Sequence, residues 1–284
     1  MLTVKNKLIL AYLLSGVLTV LLVISSVAGL LYGSRGLYDS YPASLAGLVG
    51  QDAITLALGV PLLVASMWLT RRGSIRGLLL WAGTLFYLAY SYYFYVIGGF
   101  NVLFLVYIAI VSTSLYGFLS LLFAVDARAL RARFADRTPT RLVGGFFVGY
   151  SLLFALMWVG MILAGTVAGR SPDEVTHAVV VIDCTVLLPL LFFGGSRLWR
   201  REAWGYVLGG LLLTKLAMTG FTLAFTTALG ALWAGKTDGF NAFLFVLFAL
   251  MVAGAIPLLF AYLRGIEEGD PETTFTGHGI IGGS

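Results

Sequence analysis

Residues 8–31 read LILAYLLSGVLTVLLVISSVAGLL and contain no charged side chain. A helix of this length can cross the hydrocarbon core of a bilayer, which requires about 20 apolar residues. The rest of the 284-residue chain has the same character, since 60% of all residues are hydrophobic and 11% are charged. A soluble domain of this length needs a wetted exterior, so the composition predicts an all-α integral membrane protein surrounded by a lipid bilayer.

Eight apolar stretches are long enough to be transmembrane helices. They cover residues 7–32, 46–70, 75–97, 100–125, 142–168, 177–196, 204–233 and 240–263. Most basic residues lie in segments that an eight-span chain places on one side of the membrane, and the positive-inside rule then predicts that both termini are cytoplasmic. Because the net charge of +5 resides in these short loops, it does not indicate a nucleic-acid partner.

The two halves of the chain carry the same landmarks in the same order. These are an acid (Asp52, Asp183), a proline (Pro61, Pro189), an arginine pair (71–72, 200–201) and the tripeptide Gly-Phe-Asn (99–101, 239–241). The shared order predicts two tandem four-helix repeats related by an axis along the membrane normal. Chance resemblance between leucine-rich helices is the alternative interpretation.

This interpretation divides the chain into four segments. Residues 1–125 form the first membrane repeat, 126–141 a basic cytoplasmic linker, 142–265 the second membrane repeat and 266–284 a flexible polar cytoplasmic tail.

The first repeat carries a recognisable series of short motifs. They are Gly50-Gln51-Asp52, Pro61-Leu62-Leu63, Arg72-Gly73-Ser74, and Phe100-Asn101 followed by Leu103-Phe104-Leu105 and Tyr107. Over about residues 50–122 the chain resembles a family of uncharacterised bacterial multi-pass membrane proteins. The resemblance implies a location in the bacterial cytoplasmic (inner) membrane. The family has no known activity, so no functional residue can be transferred from it.

Three charged residues lie well inside predicted spans, away from the span ends. Asp52 is about one and a half turns inside the second span, and Asp183 is about 9 Å from the outer end of the sixth. Intramembrane carboxylates normally face the bundle, as structural groups or as sites for a proton, a cation or a substrate amine. Lys215 lies about 15 Å into the seventh span, too deep to reach water easily. We expect it to pair with Asp183. The alternatives are backbone carbonyls or a cytoplasmic vestibule.

The repeat suggests a counterpart for Lys215. The segment Tyr87-Leu88-Ala89-Tyr90-Ser91 matches Lys215-Leu216-Ala217-Met218-Thr219, so Tyr87 is expected to hold Asp52 as Lys215 holds Asp183. An acid held by a neutral phenol is freer to titrate. This makes Asp52 the better candidate for a functional site and Asp183 the better candidate for a structural one.

Further polar residues complete the candidate ligand-binding set. Gln51 lies beside Asp52, while Asn101 and Asn241 begin their spans, where they are expected to cap a helix or to line an outer pocket. Tyr92, Tyr93 and Tyr95 are expected near the outer interface as part of an aromatic belt.

Known catalytic and metal-binding motifs are missing from the sequence. With one cysteine and two histidines, no metal or cofactor is expected. There is no nucleotide-binding or hydrolase motif, so enzymatic activity is uncertain and disfavoured. We predict binding or transport of a small solute or ion through an outward-facing cavity in the bundle. The alternatives are an accessory or assembly subunit with a membrane-protein partner and, third, a lipid-modifying membrane enzyme.

Overall fold

The structure, a computed structural model, describes residues 2–41, 45–172, 174–235 and 239–267. All named elements in these ranges are helical. In chain order they are α1 (Leu2–Tyr32), a 3₁₀ turn (Gly33–Arg35), α2 (Leu45–Ile54), a π turn (Thr55–Gly59), α3 (Val60–Arg71), α4 (Ile75–Ile97), α5 (Phe104–Ala124), α6 (Ala127–Arg131), α7 (Thr140–Val167), α8 (Glu174–Ile182), a second π turn (Asp183–Leu187), α9 (Leu188–Trp199), α10 (Ala203–Ala234) and α11 (Gly239–Arg264).

Within the described ranges, seven helical segments are long and apolar enough to cross a membrane. The predicted third span corresponds to α4, which has 23 residues but is not one of the seven. Its tyrosine, serine and threonine side chains lower its mean hydropathy. Most of α4 is buried by other helices, so it does not need an apolar surface toward lipid. The eighth membrane span, which α4 would provide, therefore remains a prediction.

The centre of the bundle is the contact between α4 and α10. A Cβ atom at Gly83 of α4 would lie 2.6 Å from the Leu211 carbonyl oxygen, and one at Gly210 of α10 would lie 2.6 Å from Leu79 Cδ1. Glycine at these positions lets the two helices approach closely, as small residues do in membrane bundles. Around this pair, α3 and α5 pack against α4, and α2, α9 and α11 pack against α10, while α1 packs mainly against α5 and α7 mainly against α9.

Two of the membrane helices change pitch at equivalent places. The π turn between α2 and α3 ends two residues before Pro61, and the π turn between α8 and α9 ends two residues before Pro189. Proline cannot donate its backbone nitrogen to the preceding turn, and a local π turn accommodates the missing bond. Each acid-bearing helix therefore bulges close to its acid.

The segment between the halves is folded against the end of α11. Ala135 N donates to Gly265 O at 2.8 Å, and Glu267 N donates to Arg133 O at 2.7 Å. The tail was predicted to be flexible from residue 266, yet Ile266 is 2% exposed and forms a bridge with Phe134. The rest of the predicted tail, residues 268–284, lies outside the described residues.

Substituting Gly83 with alanine tests the α4–α10 contact. We expect Gly83→Ala to lower the free energy of unfolding by about 1–3 kcal/mol, because the added methyl group overlaps Thr214 and Leu211. Gly16→Ala is the matched control, since a Cβ there meets nothing within 4 Å. It should be neutral, or stabilising by up to about 1 kcal/mol. Unfolding in mixed micelles measures both, and equal effects would contradict the proposed close contact.

Candidate functional site

Asp52 lies in a fully buried cluster of tyrosines in the first half of the chain. Its Oδ2 atom accepts a hydrogen bond from Tyr38 Oη at 2.5 Å, and Tyr95 Oη lies 3.3 Å from its Oδ1 atom. The Asp52 side chain has no exposed surface. Among the described residues, no lysine or arginine forms a salt bridge with it. Two phenols, and not a counterion, therefore hold this carboxyl group.

The proton count in this cluster favours a neutral carboxyl group. Tyr95 Oη has one proton and two acceptors in range, and the Leu48 carbonyl oxygen at 3.0 Å is closer than Asp52 Oδ1 at 3.3 Å. If Tyr95 donates to Leu48, Asp52 Oδ1 faces another acceptor oxygen. The contact is then best satisfied when Asp52 carries a proton and donates it to Tyr95.

The loop after α1 brings Tyr38 to Asp52. Gly29 leaves the necessary space, since a Cβ there would overlap both Asp52 Oδ2 and Tyr38 Oη. Burial raises the pKa of the Tyr38 phenol far above its ordinary value. Tyr38 therefore remains a hydrogen-bond donor over the whole physiological pH range.

The prediction that Tyr92 and Tyr95 form an outer aromatic belt was wrong. Both rings are buried, at 0% and 1% exposure, and they stack on each other with centroids 4.9 Å apart. Tyr92 Oη also exchanges a hydrogen bond with Ser26 Oγ at 3.1 Å. Belt tyrosines need contact with the interface, whereas these side chains surround the buried acid.

Tyr87 is not the partner of Asp52, contrary to the sequence prediction. Its hydroxyl group accepts from Gln51 Nε2 at 2.9 Å and lies 2.7 Å from Thr222 Oγ1. Gln51 also donates to Thr55 Oγ1 at 3.2 Å. Consecutive residues of a helix point in directions about 100° apart, so Gln51 and Asp52 enter two different clusters. The Gln51 cluster connects α2, α4 and α10.

Asp183 lies in a third cluster at the second π turn. Its Oδ1 atom accepts from Tyr90 Oη at 2.8 Å, and its Oδ2 atom accepts from Trp158 Nε1 at 3.1 Å. Only 5% of Asp183 is exposed. The cluster therefore joins α4 and α7 to the acid-bearing helix.

Lys215 and Asp183 do not form the direct ion pair that the sequence predicted. Lys215 Nζ lies 3.7 Å from the centroid of the Tyr90 ring, and the hydroxyl group of the same tyrosine binds Asp183. Tyr90 thus contacts both groups. The ammonium group is fully buried and has no hydrogen-bond acceptor among the described residues. A cation–π contact is its closest favourable interaction.

The two acids do not occupy equivalent positions in the two halves. Pro61 and Pro189 are separated by 128 residues, as are the starts of the two π turns, Thr55 and Asp183. The same offset relates Tyr87 to Lys215. In this register Asp183 corresponds to Thr55, and Asp52 corresponds to Val180. At this offset Tyr87 and Thr55 of the Gln51 cluster align with Lys215 and Asp183, whereas no acid aligns with Asp52.

Asn101 has two roles near the outer end of the first half. Its amide donates to Leu37 O at 2.9 Å and its Oδ1 atom accepts from Leu103 N at 2.8 Å, so it anchors the loop that carries Tyr38. It also lines a surface cavity of about 510 Å³ together with Asp39 and Phe100. Asn241 lies in the first turn of α11, inside the helix and not at a cap before it.

The cavity beside Asn101 does not reach Asp52. Residues 37 and 39 line the cavity. Tyr38, which lies between them in sequence, is 4% exposed and turns away from the cavity to bind the buried carboxyl group of Asp52. The predicted outward-facing route to Asp52 is therefore closed in this conformation by the Tyr38 loop.

Sequence reasoning missed Tyr38, Trp158 and Thr222 as members of these clusters. Tyr38 lies in a loop between spans, and Trp158 and Thr222 lie in helices without an acid. A buried acid needs hydrogen-bond donors from neighbouring segments, and this requirement was the signal in the sequence that such partners exist. It indicates that donors must exist without indicating which residues supply them.

The fold and these clusters define a multi-pass helical membrane protein with three polar clusters buried in its core. No protein-family model matches the sequence, and neither the curated proteins nor the solved structures compared with it include a significant match. Within the described ranges, no three His, Cys, Asp or Glu side chains come together as metal ligands would.

Two substitutions test whether Asp52 is neutral. Asp52→Asn should leave the free energy of unfolding within about 0.5 kcal/mol of wild type, because an amide can accept from Tyr38 and donate to Tyr95. Asp52→Leu has a similar size and should lose about 1–3 kcal/mol, because the buried Tyr38 hydroxyl loses its acceptor. If the two variants are equally destabilised in mixed micelles, Asp52 carries a charge and the proton count is wrong.

Proposed function

We propose that the protein binds or transports a small solute or ion at the Lys215 cluster, which consists of Lys215, Tyr90, Asp183 and Trp158. The observation that carries the proposal is the buried Lys215 ammonium group, which has no hydrogen-bond acceptor among the described residues. Lys215 is 12 residues from the start of α10, or about 18 Å along the helix axis. This depth is close to the middle of a bilayer, where an ionisable group usually serves a functional role.

The chemistry of the cluster suits ligand exchange. The Lys215 ammonium group has three unused N–H donors. A carboxylate, another anion or a carbonyl oxygen of a solute could accept hydrogen bonds from them. Asp183 can balance the cation when no solute is bound, and Tyr90 keeps the two groups from neutralising each other in a direct pair. A direct pair would occupy the donors of Lys215, whereas this arrangement leaves them without an acceptor among the described residues.

We propose further that the chain consists of two tandem four-helix repeats, eight spans in total, with both termini in the cytoplasm of a bacterium and the bundle in its inner membrane. The 128-residue offset supports the repeat. It relates the π turns and the prolines, and it also relates Gly73 to Arg201, both of which adopt a positive φ at the following turn. The arginine-rich loops support the orientation.

The accessory-subunit alternative has one observation in its favour. The Asp52 carboxyl group is bonded to phenols and has no exposed surface, as expected of a group that only holds helices together. Under this alternative the Lys215 cluster is structural too. A test must therefore distinguish a functional Lys215 from a structural one.

Replacing Lys215 with methionine makes this distinction. If the lysine is retained for binding, Lys215→Met should be at least as stable as wild type and gain about 1–2 kcal/mol, because an unpaired buried cation is removed. Native mass spectrometry of gently solubilised protein should detect a small molecule on the wild type that is lost from the variant.

Arg170→Met is the control, because Arg170 is exposed and its loss removes one cation elsewhere. This variant should keep the bound molecule. If Lys215→Met is destabilised by more than about 2 kcal/mol and its bound mass equals that of wild type, Lys215 is structural and the accessory-subunit alternative is favoured.

A further inference from the structure

A second polar feature lies at the arginine-rich end of the bundle, far from the buried clusters. There a cavity of about 630 Å³ separates α6 from the start of α10, and we call it the arginine cleft. Arg128 and Arg131 of α6 line one side, Arg201 lines the other, and Phe134 and Tyr206 form an apolar floor. Three guanidinium groups therefore surround one cavity with an aromatic base.

The cleft has an excess of positive charge. Arg128 and Arg131 are exposed and form no salt bridge within the described residues. Of the two acids at the cleft, Glu202 is paired with Arg197, which is not part of the lining. The other, Asp136, is fully exposed and lies 3.8 Å from Arg201. Among the described residues, these acids therefore form no salt bridge with the two α6 arginines.

The aromatic residues around the cleft indicate its depth relative to a membrane. Trp199 and Trp204 flank Arg201 in sequence and are 51% and 44% exposed. The guanidinium group of Arg197 lies over the Phe193 ring at 4.8 Å. Exposed tryptophans between an apolar helix and a cluster of arginines are typical of the headgroup region of a bilayer. The cleft is therefore at the level of lipid phosphates.

The walls of the cleft are already in position. Phe134 packs against Tyr206 at 4.9 Å and against Tyr262 at 5.1 Å between ring centroids. Asp126 accepts hydrogen bonds from the backbone nitrogens of Arg128 and Ala129 at the start of α6, and Leu130 is buried. Binding an anion would require ordering of the arginine side chains but no rearrangement of the backbone.

We propose that the arginine cleft binds the phosphodiester headgroup of an anionic phospholipid. Planar guanidinium groups can form two parallel hydrogen bonds to a phosphate, and three of them surround this cavity. The apolar floor suits the glycerol and the upper acyl chain of a lipid better than it suits a free ion. The proposal is independent of any solute at Lys215.

The experiment compares thermal unfolding of the full-length, delipidated protein in detergent with added phosphatidylglycerol, phosphatidylcholine or inorganic phosphate. Phosphatidylglycerol should raise the midpoint temperature of unfolding by several degrees, and phosphatidylcholine should raise it much less. In the Arg128→Gln/Arg131→Gln variant, the phosphatidylglycerol concentration for half of the effect should rise about tenfold or more, because charged hydrogen bonds are lost.

The matched control is Arg35→Gln/Arg170→Gln, which also removes two exposed arginines but from the other end of the spans. It should respond to phosphatidylglycerol as wild type does. If both double variants lose the response to phosphatidylglycerol equally, the effect depends only on the net charge of the protein, and the proposal is overturned. An unchanged response in Arg128→Gln/Arg131→Gln would also overturn it. If inorganic phosphate at the same concentration matches phosphatidylglycerol, the cleft binds a soluble anion instead of a lipid.

Discussion

The close contact between α4 and α10 is the constraint on which the rest of the structure depends. Gly83 and Gly210 let the two backbones approach until a methyl group at either position would overlap the other helix. This contact brings Tyr87 and Tyr90 of α4 next to Thr222 and Lys215 of α10. Two of the three buried polar clusters are built on those side chains, so both would be disrupted if the helices separated. The remaining long helices provide donors, acids and an apolar exterior around this pair.

Tyrosine side chains supply hydrogen bonds to both buried acids in this bundle. A carboxyl group in a membrane needs donors, and a lysine or arginine would bring a second charge that also has to be desolvated. A phenol gives a strong hydrogen bond from a largely apolar ring. Asp183 accepts from Tyr90 of α4, whereas Asp52 accepts from Tyr38 and contacts Tyr95 of α4. The same property lowers the mean hydropathy of α4, which was predicted as a span but is not among the seven described helices apolar enough to cross a membrane.

Features that depend on local sequence could be predicted, whereas contacts between distant segments could not. The helices near 142–168, 204–233 and 240–263 end within three residues of their predicted bounds, because hydropathy is a property of each segment alone. The match between Tyr87 and Lys215 agrees with the 128-residue offset of the two π turns. The partner of Asp52 was missed because Tyr38 reaches it through a loop, which no helical periodicity describes. The direct pairing of Lys215 with Asp183 was wrong, because both groups contact Tyr90 of a third helix instead.

Tyr90 contacts both Lys215 and Asp183, and we expect it to couple the two groups. A double-mutant cycle of Lys215→Met and Asp183→Asn, measured as free energies of unfolding in mixed micelles, tests it most directly. We expect a coupling energy of about 1 kcal/mol with Tyr90 present, and a coupling close to zero when the cycle is repeated with Tyr90→Leu. Additive effects with Tyr90 present would contradict the claim. An unchanged coupling after Tyr90→Leu would show that the two charges interact without the ring.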